Sequence, residues 1–377
     1  MKIVFVSNYF NHHQESLALA LDKATGGQFH FIACGVMGEF RRQLGYKDMN
    51  YAHPFIVRAY ENYADAVRAK KLIDEADMVI AGSAPESLLA GRKTANKPIF
   101  YYAERPLKNG FEILKYPIRL FRWKKKYPNK KLLYMLCASG YTASDYRKFG
   151  VFKNKCYKWA YFPAVKTYED VENLIGAKEK NSLVWVGRFI DWKHPEVPIE
   201  IAKRLKNDGY DFTLNMIGNG EMLETIKGLV EKEELEKQVH VLGAMPTEKV
   251  REYMENSRVL LFTSDRKEGW GAVLNEGMNS GCVPVANRLI GSAPFLIQNG
   301  ENGFLYKDGD IDGAYAKVKM LLDDNARQET MSKKAYETML NEWNAENAAK
   351  KILILAERIL QGEKRPFPFE NGVCSKA

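Results

Sequence analysis

Cysteine is scarce in this chain of 377 residues, which has five cysteines and no two of them at the spacing of a metal-binding pair. A disulfide framework or a zinc module is therefore not expected, and reduced thiols in a cytosolic protein are the simplest interpretation. The sequence also lacks any apolar run near the length of about 20 residues that a membrane-spanning helix needs. The N-terminal sequence MKIVFVSNYF indicates a strand and not a signal peptide. These absences favour a globular cytoplasmic protein of two or three domains.

Positive charge is distributed unevenly along the chain. Residues 1–165 carry a formal net charge of +14, whereas residues 166–377 carry a net charge of −5. Such asymmetry indicates that the first half of the protein meets an anionic surface.

Short apolar runs alternate with helical stretches in both halves of the sequence. This alternation is typical of α/β domains with open parallel sheets and right-handed crossovers. The sequence thus predicts two tandem doubly wound, Rossmann-like domains, residues 1–165 and 166–341. The remaining residues, 342–377, are expected to form a C-terminal helix that returns to the first domain, followed by a tail. Two such domains are expected to face each other across a ligand cleft at the carboxyl edges of their sheets.

The stretch from Arg258 to Asn287 organises the second domain. The apolar run Val259–Phe262 predicts a buried strand, and a Gly-containing turn and a helical pattern follow it. This order places free N–H groups of a helix at the carboxyl end of a sheet, where anions bind readily. Glu268 and Glu276 frame the turn, and both are explained if they accept hydrogen bonds from sugar hydroxyls beside a diphosphate. The alternative is an ordinary loop acid and a solvated helix residue.

Cations and glycines mark other strand ends in the second domain. Arg188 and Lys193 follow one predicted strand and form a pair that can neutralise a diphosphate, or else a surface salt-bridge pair. The run Gly218-Asn219-Gly220 follows another strand, where a tight turn is also a sufficient explanation. The run His240-Val241-Leu242 ends a third strand, where a base can lie against the backbone, although a core or edge histidine is the more ordinary role.

Five motifs in the second domain occur in an order that resembles the retaining GT-B glycosyltransferases, in particular glycosyltransferase family 4. They are GRF-x-x-WK at 187–193, IGNGE at 217–221, HVLG at 240–243, EGWGAVLNEGMNSGCVPV at 268–285 and NGENGFLY at 299–306. In the first domain, NYFNHHQ at 8–14 looks like the polysaccharide-assembly members of that family.

The resemblance implies a role for each matching residue. Arg188 and Lys193 would hold the donor diphosphate and stabilise it as the leaving group, and Glu268 would hold hydroxyls of the donor sugar. Glu276 would bind the ribose hydroxyls of the nucleotide. The remaining donor contacts would come from Gly187, Gly218, Asn219, Gly220, His240, Val241, Leu242, Gly271, Ala272 and Val273. The family's reaction needs no metal or other cofactor, so none is expected here.

The first domain departs from the family pattern. The usual Gly-Gly turn after the first strand is absent, and the histidine that often faces the sugar has no clear counterpart. Residues expected to face the cleft and the acceptor are Asn11, His12, His13, Glu104 and Arg105, with helix capping and surface polarity as the alternatives. In the second domain, Phe295 stands in a loop where family members commonly have a glutamate.

A basic stretch interleaved with aromatic residues lies within the predicted helix Phe111–Trp123 and the residues that follow it. Its members are Lys115, Arg119, Arg122, Trp123, Lys124, Lys125, Lys126, Lys130 and Lys131, and no acid occurs from 115 to 131. Such a helix suits an anionic membrane surface. It also suits nucleic acid, but the resemblance disfavours that partner. The alternative is a solvated helix whose aromatic residues face the core.

These features together predict a retaining, metal-independent hexosyltransferase-type enzyme of cell-surface polysaccharide biosynthesis. Its donor would be a nucleotide-diphosphate sugar, with UDP as the first guess, and its acceptor a glycan or a lipid-linked sugar. It would act at the cytoplasmic face of the membrane as a peripheral protein. The alternatives are a phosphorylase or nucleotide-sugar epimerase on the same scaffold, and a sugar-binding protein without turnover.

Overall fold

The structure, a computed structural model, describes residues 1–39, 47–111 and 113–377. The chain divides into two units. The first unit combines Met1–Ala164 with Trp343–Ala377, and the second unit is Val165–Glu342. The functions expected of these units stay predictions.

The first unit contains a seven-stranded parallel sheet with the order β3-β2-β1-β4-β5-β6-β7. Its strands are β1 (Ile3–Ser7), β2 (Phe29–Ala33), β3 (Ile56–Arg58), β4 (Met78–Ala81), β5 (Ile99–Ala103), β6 (Leu133–Cys137) and β7 (Cys156–Lys158). The strand order reverses between β1 and β4, and their carboxyl ends therefore open a crevice of the kind that binds ligands in α/β proteins.

Helices connect these strands. They are α1 (His12–Ala24), α2 (Tyr63–Glu75), α3 (Glu86–Thr94), α4 (Tyr116–Lys126) and α5 (Thr142–Arg147). Helix α4 begins five residues later than the predicted stretch Phe111–Trp123, after a 3₁₀ turn at Ile113–Lys115. Pro117 lies in its first turn, where the missing N–H has no partner to lose. Residue 112 of the predicted stretch lies outside the described residues.

The second unit contains a six-stranded parallel sheet with the order β10-β9-β8-β11-β12-β13. Its strands are β8 (Ser182–Val186), β9 (Thr213–Ile217), β10 (Val239–Gly243), β11 (Val259–Phe262), β12 (Val283–Asn287) and β13 (Phe304–Tyr306). Its helices are α6 (Val171–Gly176), α7 (Glu196–Asn207), α8 (Leu223–Lys232), α9 (Thr247–Asn256), α10 (Val273–Asn279), α11 (Ala293–Leu296), α12 (Ile311–Asp323) and α13 (Asn325–Glu337). A 3₁₀ turn at Asp191–Lys193 and a π-helix at Thr338–Glu342 complete it.

The C-terminal helix α14 (Ala345–Leu360) belongs to the first unit and packs against α1. Its start is fixed by Asn344, whose side chain accepts a hydrogen bond of 2.8 Å from the N–H of Asn347. Ala348, Ile352 and Leu355 form part of its buried face. The predicted tandem Rossmann-like sheets and returning helix are therefore confirmed. Within the described ranges, no helix is long and apolar enough to cross a bilayer.

Candidate functional site

Thr263 forms hydrogen bonds that connect two loops, one at the carboxyl end of β8 and one at the carboxyl end of the adjacent strand β11. Its hydroxyl donates to the carbonyl oxygen of Lys193 at 2.7 Å and accepts from the indole N–H of Trp185 at 2.9 Å. The N–H of Asp265 donates to the carbonyl oxygen of Trp192 at 2.9 Å. These bonds hold the 3₁₀ turn that carries Lys193 against the loop that carries Glu268.

Lys193 and Glu268 form an ion pair in which the ammonium donates to carboxylate Oε2. The Ser264 hydroxyl donates to the same oxygen at 3.1 Å. Only 13% of the Lys193 side chain and 11% of the Glu268 side chain is exposed, so solvent screens the attraction weakly. Without a bound anion, the two charges expected to meet the diphosphate and the sugar neutralise each other.

Arg188 contrasts with Lys193 because its side chain is exposed. It has no carboxylate partner in the part of the chain that the structure describes, and its guanidinium carbon lies 5.7 Å from the centre of the Trp192 ring. An arginine in this state can meet an incoming phosphate without first breaking an ion pair. The two cations that follow β8 are therefore in different electrostatic states.

The turn before α10 brings backbone N–H groups to the same edge of the sheet. Gly271 has a φ of +87°, and a Cβ there would lie 2.4 Å from the ring of Phe262. Trp270 is fully buried, and its indole N–H donates to the Asn275 side-chain oxygen at 2.9 Å. The N–H of Leu274 already donates to the Gly271 carbonyl oxygen at 3.1 Å, so an anion at this turn would be met by the preceding N–H groups of Ala272 and Val273.

Glu276 is half-buried in α10, and burial raises the pKa of its carboxyl group, opposed by the positive charge of Arg251. Arg251 does not bond the carboxylate: its guanidinium donates to the backbone oxygen of Glu276 at 3.2 Å and to the side-chain oxygen of Asn279 at 3.0 Å. Among the described residues the carboxylate has no hydrogen-bond donor. A poorly solvated acceptor of this kind is suited to the hydroxyls of a ligand.

Glu276→Gln is expected to stabilise the free protein while weakening nucleotide binding. Because the folded-state pKa is raised, ionised Glu276 opposes folding at pH values above that pKa. The gain in Tm should therefore be largest at neutral pH and vanish as the pH falls below the ordinary carboxyl pKa of 4.5. UDP affinity should fall by about 10- to 100-fold, the loss expected for charged hydrogen bonds to hydroxyls. Thermal unfolding across pH and calorimetric titration with UDP measure the two effects, and unchanged UDP affinity would contradict the ribose assignment.

Gly218 and Gly220 allow two loops to pass at backbone contact. Their φ values are +142° and +157°, and a Cβ would lie 1.8 Å from the Gly187 carbonyl oxygen or 2.4 Å from the Phe189 carbonyl oxygen, respectively. The N–H of Phe189 donates to the carbonyl oxygen of Asn219 at 3.0 Å. The two glycines thus position the loop that carries Arg188. Whether they also touch a donor stays a prediction.

Gly218→Ala is expected to destabilise the protein by about 3 kcal/mol or more, because strain at positive φ is added to a clash with a backbone atom. Gly209→Ala is the matched control, since Gly209 has a φ of +80° and an added Cβ there would have no atom within 4 Å. The control should lose only about 1 to 2 kcal/mol, the strain of the left-handed conformation alone. Urea unfolding of both variants separates the clash from the strain, and equal losses would contradict the close approach of the two loops.

The residues expected to contact a base lie on β10, an edge strand. His240 and Leu242 are exposed, whereas Val241 is half-buried. The pairing of β10 with β9 shifts register between Val241 and Gly243. His240 is therefore a histidine on an edge strand, which is one of the two ordinary roles expected for it. Its contact with a base stays a prediction.

In the first unit, a cavity of about 580 Å³ opens at the carboxyl ends of β1, β4 and β5. Asn11, His13 and Glu104 line it. Asn11 also caps α1 by accepting from the N–H of His13 at 3.0 Å. The Glu104 carboxylate accepts from the Tyr161 hydroxyl at 2.7 Å and from the Lys108 ammonium. Carboxylates and tyrosines around a polar cavity can bind a sugar through hydroxyl contacts and ring stacking.

The structure does not bring His12 or Arg105 to the lining of this cavity. Arg105 is buried and forms an ion pair of 3.3 Å with Asp145, and its guanidinium carbon lies 4.5 Å from the centre of the Tyr141 ring. His12 lies on α1 with its ring centre 3.9 Å from that of His13. Phe295 is half-buried, with its ring centre 6.4 Å from that of the buried Trp270.

Among the described residues, no cluster of three or more His, Cys, Asp or Glu side chains could hold a metal ion. Aspartates at alternate positions occur at 308, 310 and 312, but each of these carboxylates bonds to another residue of the chain. Asp308 accepts from the Asn287 amide at 2.5 Å, Asp310 caps α12, and Asp312 pairs with Arg204 at 3.1 Å. Metal independence stays a prediction.

Sequence reasoning did not identify three residues that shape the site: Thr263, Ser264 and Arg251. The first two are buried polar residues directly after β11, a position that could have drawn attention to them. Arg251 lies on a neighbouring helix, and nothing in its sequence surroundings points to Glu276.

Comparison with known proteins gives a match to one family model over part of the chain. Residues 169–338 match the sequence profile of the family described as glycosyl transferases group 1. The chain is similar to N-acetyl-alpha-D-glucosaminyl L-malate synthase of Bacillus anthracis, with 28% identity over 54% of this chain and 52% of that protein. It is also similar to the amylovoran biosynthesis glycosyltransferase AmsK of Erwinia amylovora, with 26% identity over 46% of this chain and 44% of that protein. The chain thus matches about half the length of these curated relatives.

The fold is also that of solved glycosyltransferase structures. Anabaena HepE in complex with UDP superposes with a TM-score of 0.70 and 16% identity, over 95% of this chain and 100% of that chain. At this identity the likeness establishes the fold, which is GT-B. The profile match lies within the second unit, and the GT-B fold is shared with these solved glycosyltransferases.

Proposed function

We propose that this protein is a retaining, metal-independent glycosyltransferase of the family 4 type that uses a UDP-sugar in cell-surface polysaccharide biosynthesis. The observation that carries the proposal is the grouping at one sheet edge of two cations, the start of α10 and two carboxylates. Arg188 and Lys193 supply positive charge, and α10 supplies N–H groups. Glu268, which precedes the turn, and Glu276, which follows it in α10, supply acceptors.

A nucleotide-diphosphate sugar has the complementary chemistry. Its diphosphate needs cations and N–H donors, while its sugar and ribose present hydroxyls that donate to carboxylates. In the proposed reaction, the bond between the sugar carbon and the diphosphate oxygen breaks, and the acceptor oxygen bonds to the same face of that carbon. The acceptor proton passes to the departing diphosphate, whose charge Arg188 and Lys193 stabilise.

The acceptor is proposed to bind the first unit at the cavity lined by Asn11, His13 and Glu104. Its polar lining and tyrosines suit a glycan or the sugar of a lipid-linked acceptor. The names of the relatives favour this class, because AmsK is described as an amylovoran biosynthesis glycosyltransferase.

The alternatives are disfavoured by these observations. A phosphorylase or an epimerase on this scaffold is not favoured by the relatives' names. A sugar-binding protein without turnover would not need the cations Arg188 and Lys193, because a neutral sugar has no negative charge for them to neutralise.

A thermal-shift screen with nucleotides and nucleotide sugars, followed by a transfer assay on candidate glycan acceptors, tests the proposal. We expect UDP to raise Tm equally with magnesium and with EDTA, and the linkage formed to keep the donor's anomeric configuration by NMR. Stabilisation only with magnesium would contradict metal independence, and an inverted product would contradict the retaining mechanism. No stabilisation by any nucleotide would contradict the donor site itself.

A further inference from the structure

Helix α4 presents two different apolar faces. On one, Tyr116, Leu120 and Trp123 pack against the core of the first unit. The Trp123 ring centre lies 4.2 Å from that of Phe149, and the Tyr116 hydroxyl donates to the Lys148 backbone oxygen at 3.0 Å. The alternative that the aromatic residues face the core is therefore correct for Trp123 and Tyr116. These contacts fix which side of the helix points outward.

The outward side carries large apolar residues in water. Leu114 is 93% exposed, Ile118 is 64% exposed and Phe121 is 71% exposed, and no residue of α4 is buried. Ile118 and Phe121 are three residues apart on α4 and therefore share one face of the helix, and Leu114 precedes them in the 3₁₀ turn. Apolar side chains grouped in this way mark an interaction surface, because single exposed residues are common but an aligned stripe is not.

Exposed cations adjoin this stripe. Arg122, Lys124 and Lys125 are exposed on the same helix. Lys126 differs, because it pairs with Glu86 at 2.9 Å and lines the polar cavity of the first unit. Lys130 lies beyond the helix and is also exposed, and Lys131 is half-buried.

A second cavity, of about 400 Å³, lies where the loop after β5 meets the start of α4. Among the described residues, its lining contains four basic residues and no acidic one: Arg105, Lys108, Lys115 and Arg119. Arg105 and Lys108 already pair with Asp145 and Glu104. Lys115 and Arg119 also have interaction partners, so this cavity adds no free charge to the surface of α4.

We propose that the docking face, defined as Leu114, Ile118 and Phe121 with Arg122, Lys124 and Lys125, binds the surface of an anionic lipid bilayer. The apolar residues would enter the boundary between headgroups and acyl chains, and the cations would lie at the level of the lipid phosphates. A nucleic acid would use the cations but leave the aliphatic stripe in water, so a bilayer accounts for both parts. This inference goes beyond the proposed transferase activity and does not rest on it.

Co-sedimentation of the full chain with vesicles tests the proposal without any sugar substrate. Vesicles of phosphatidylcholine mixed with phosphatidylglycerol are compared with vesicles of phosphatidylcholine alone. We expect binding to the mixed vesicles and at least about tenfold weaker binding to the neutral ones, because each cation near an anionic surface adds to the affinity. Absence of binding to the mixed vesicles would overturn the proposal.

Two variants with matched controls assign the binding to this face. Ile118→Ser combined with Phe121→Ser should lower the partition coefficient by about tenfold or more. Its control is Tyr63→Ser combined with Val67→Ser, which changes two exposed residues of α2 and should have no effect. Arg122, Lys124 and Lys125 changed to Ala should lower binding to anionic vesicles roughly a hundredfold. Its control changes Lys227, Lys232 and Lys237, three exposed lysines of the second unit, to Ala.

Tm values within about 2 °C of the parent establish that the variants are folded. Equal losses in a variant and its control would overturn the assignment to α4. A dimer of the parent in analytical ultracentrifugation that is lost in the Ile118/Phe121 variant would also overturn the proposal. The apolar stripe would then be an interface between two copies of the chain. Tighter binding to duplex DNA than to the mixed vesicles, lost in the charge variant, would identify a nucleic-acid surface instead.

Discussion

Lys193→Ala is expected to lower kcat by about 100- to 1,000-fold, the loss seen when one donor that stabilises developing negative charge is removed. The diphosphate gains negative charge at the oxygen released by the sugar, so an ammonium placed there acts more strongly in the transition state than in the bound donor. In the free protein Lys193 is engaged by Glu268, and part of its attraction for the donor offsets the loss of that pair. Donor affinity should therefore fall much less than kcat, by about threefold to tenfold.

The control for this variant is Lys203→Ala. Lys203 forms an ion pair of 2.7 Å with Glu233 in the same unit, and its side chain is 41% exposed. Because Lys193→Ala also leaves the Glu268 carboxylate without its ammonium, a decrease in Tm is expected. The double variant Lys193→Ala with Glu268→Gln removes that unpaired charge and should recover Tm but not kcat. Equal losses in kcat and donor affinity would make Lys193 a plain binding residue.

Glu268→Gln is expected to strengthen the binding of UDP but to lower kcat, because the carboxylate affects the diphosphate and the sugar of the donor differently. With the carboxylate replaced by a neutral amide, the Lys193 ammonium is released and like-charge repulsion of the diphosphate disappears. UDP should bind about tenfold more tightly, since a charged hydrogen bond of about 1.5 kcal/mol no longer competes. The sugar loses its charged acceptor, and kcat should fall about 10- to 100-fold.

The matched control is Glu233→Gln, which neutralises the carboxylate of the Lys203 pair and should leave both quantities unchanged. Calorimetric titration with UDP and with a UDP-sugar, together with kcat, separates the two effects. Weaker UDP binding in Glu268→Gln would contradict the competition between the carboxylate and the diphosphate for Lys193.

The fold could be predicted from sequence because parallel α/β domains leave a local signal. Each buried strand, such as Val259–Phe262, is a short apolar run, and the helices between strands have their own periodicity. The return of α14 to the first unit was also accessible, since an amphipathic helix must bury its apolar face. The start of α4 was placed too early because the sequence pattern did not distinguish a 3₁₀ turn from the first turn of a helix.

The partners of individual side chains could not be predicted in this way. Lys193 and Glu268 are 75 residues apart, and their pairing depends on the adjacent strands that carry their loops. The same holds for Arg105, whose buried partner Asp145 lies 40 residues further along. The outward side of α4 likewise depends on Phe149, which holds Trp123 against the core. Composition revealed the cations, but only packing shows which apolar residues are left in water.

A crystal structure of the protein with UDP is the most direct measurement. We predict the β-phosphate within hydrogen-bond distance of the Arg188 guanidinium and the Lys193 ammonium, the ribose hydroxyls on the Glu276 carboxylate, and the Lys193–Glu268 pair loosened. A diphosphate bound away from the start of α10, with Lys193 still held by Glu268 and the Glu276 carboxylate untouched, would contradict the donor site.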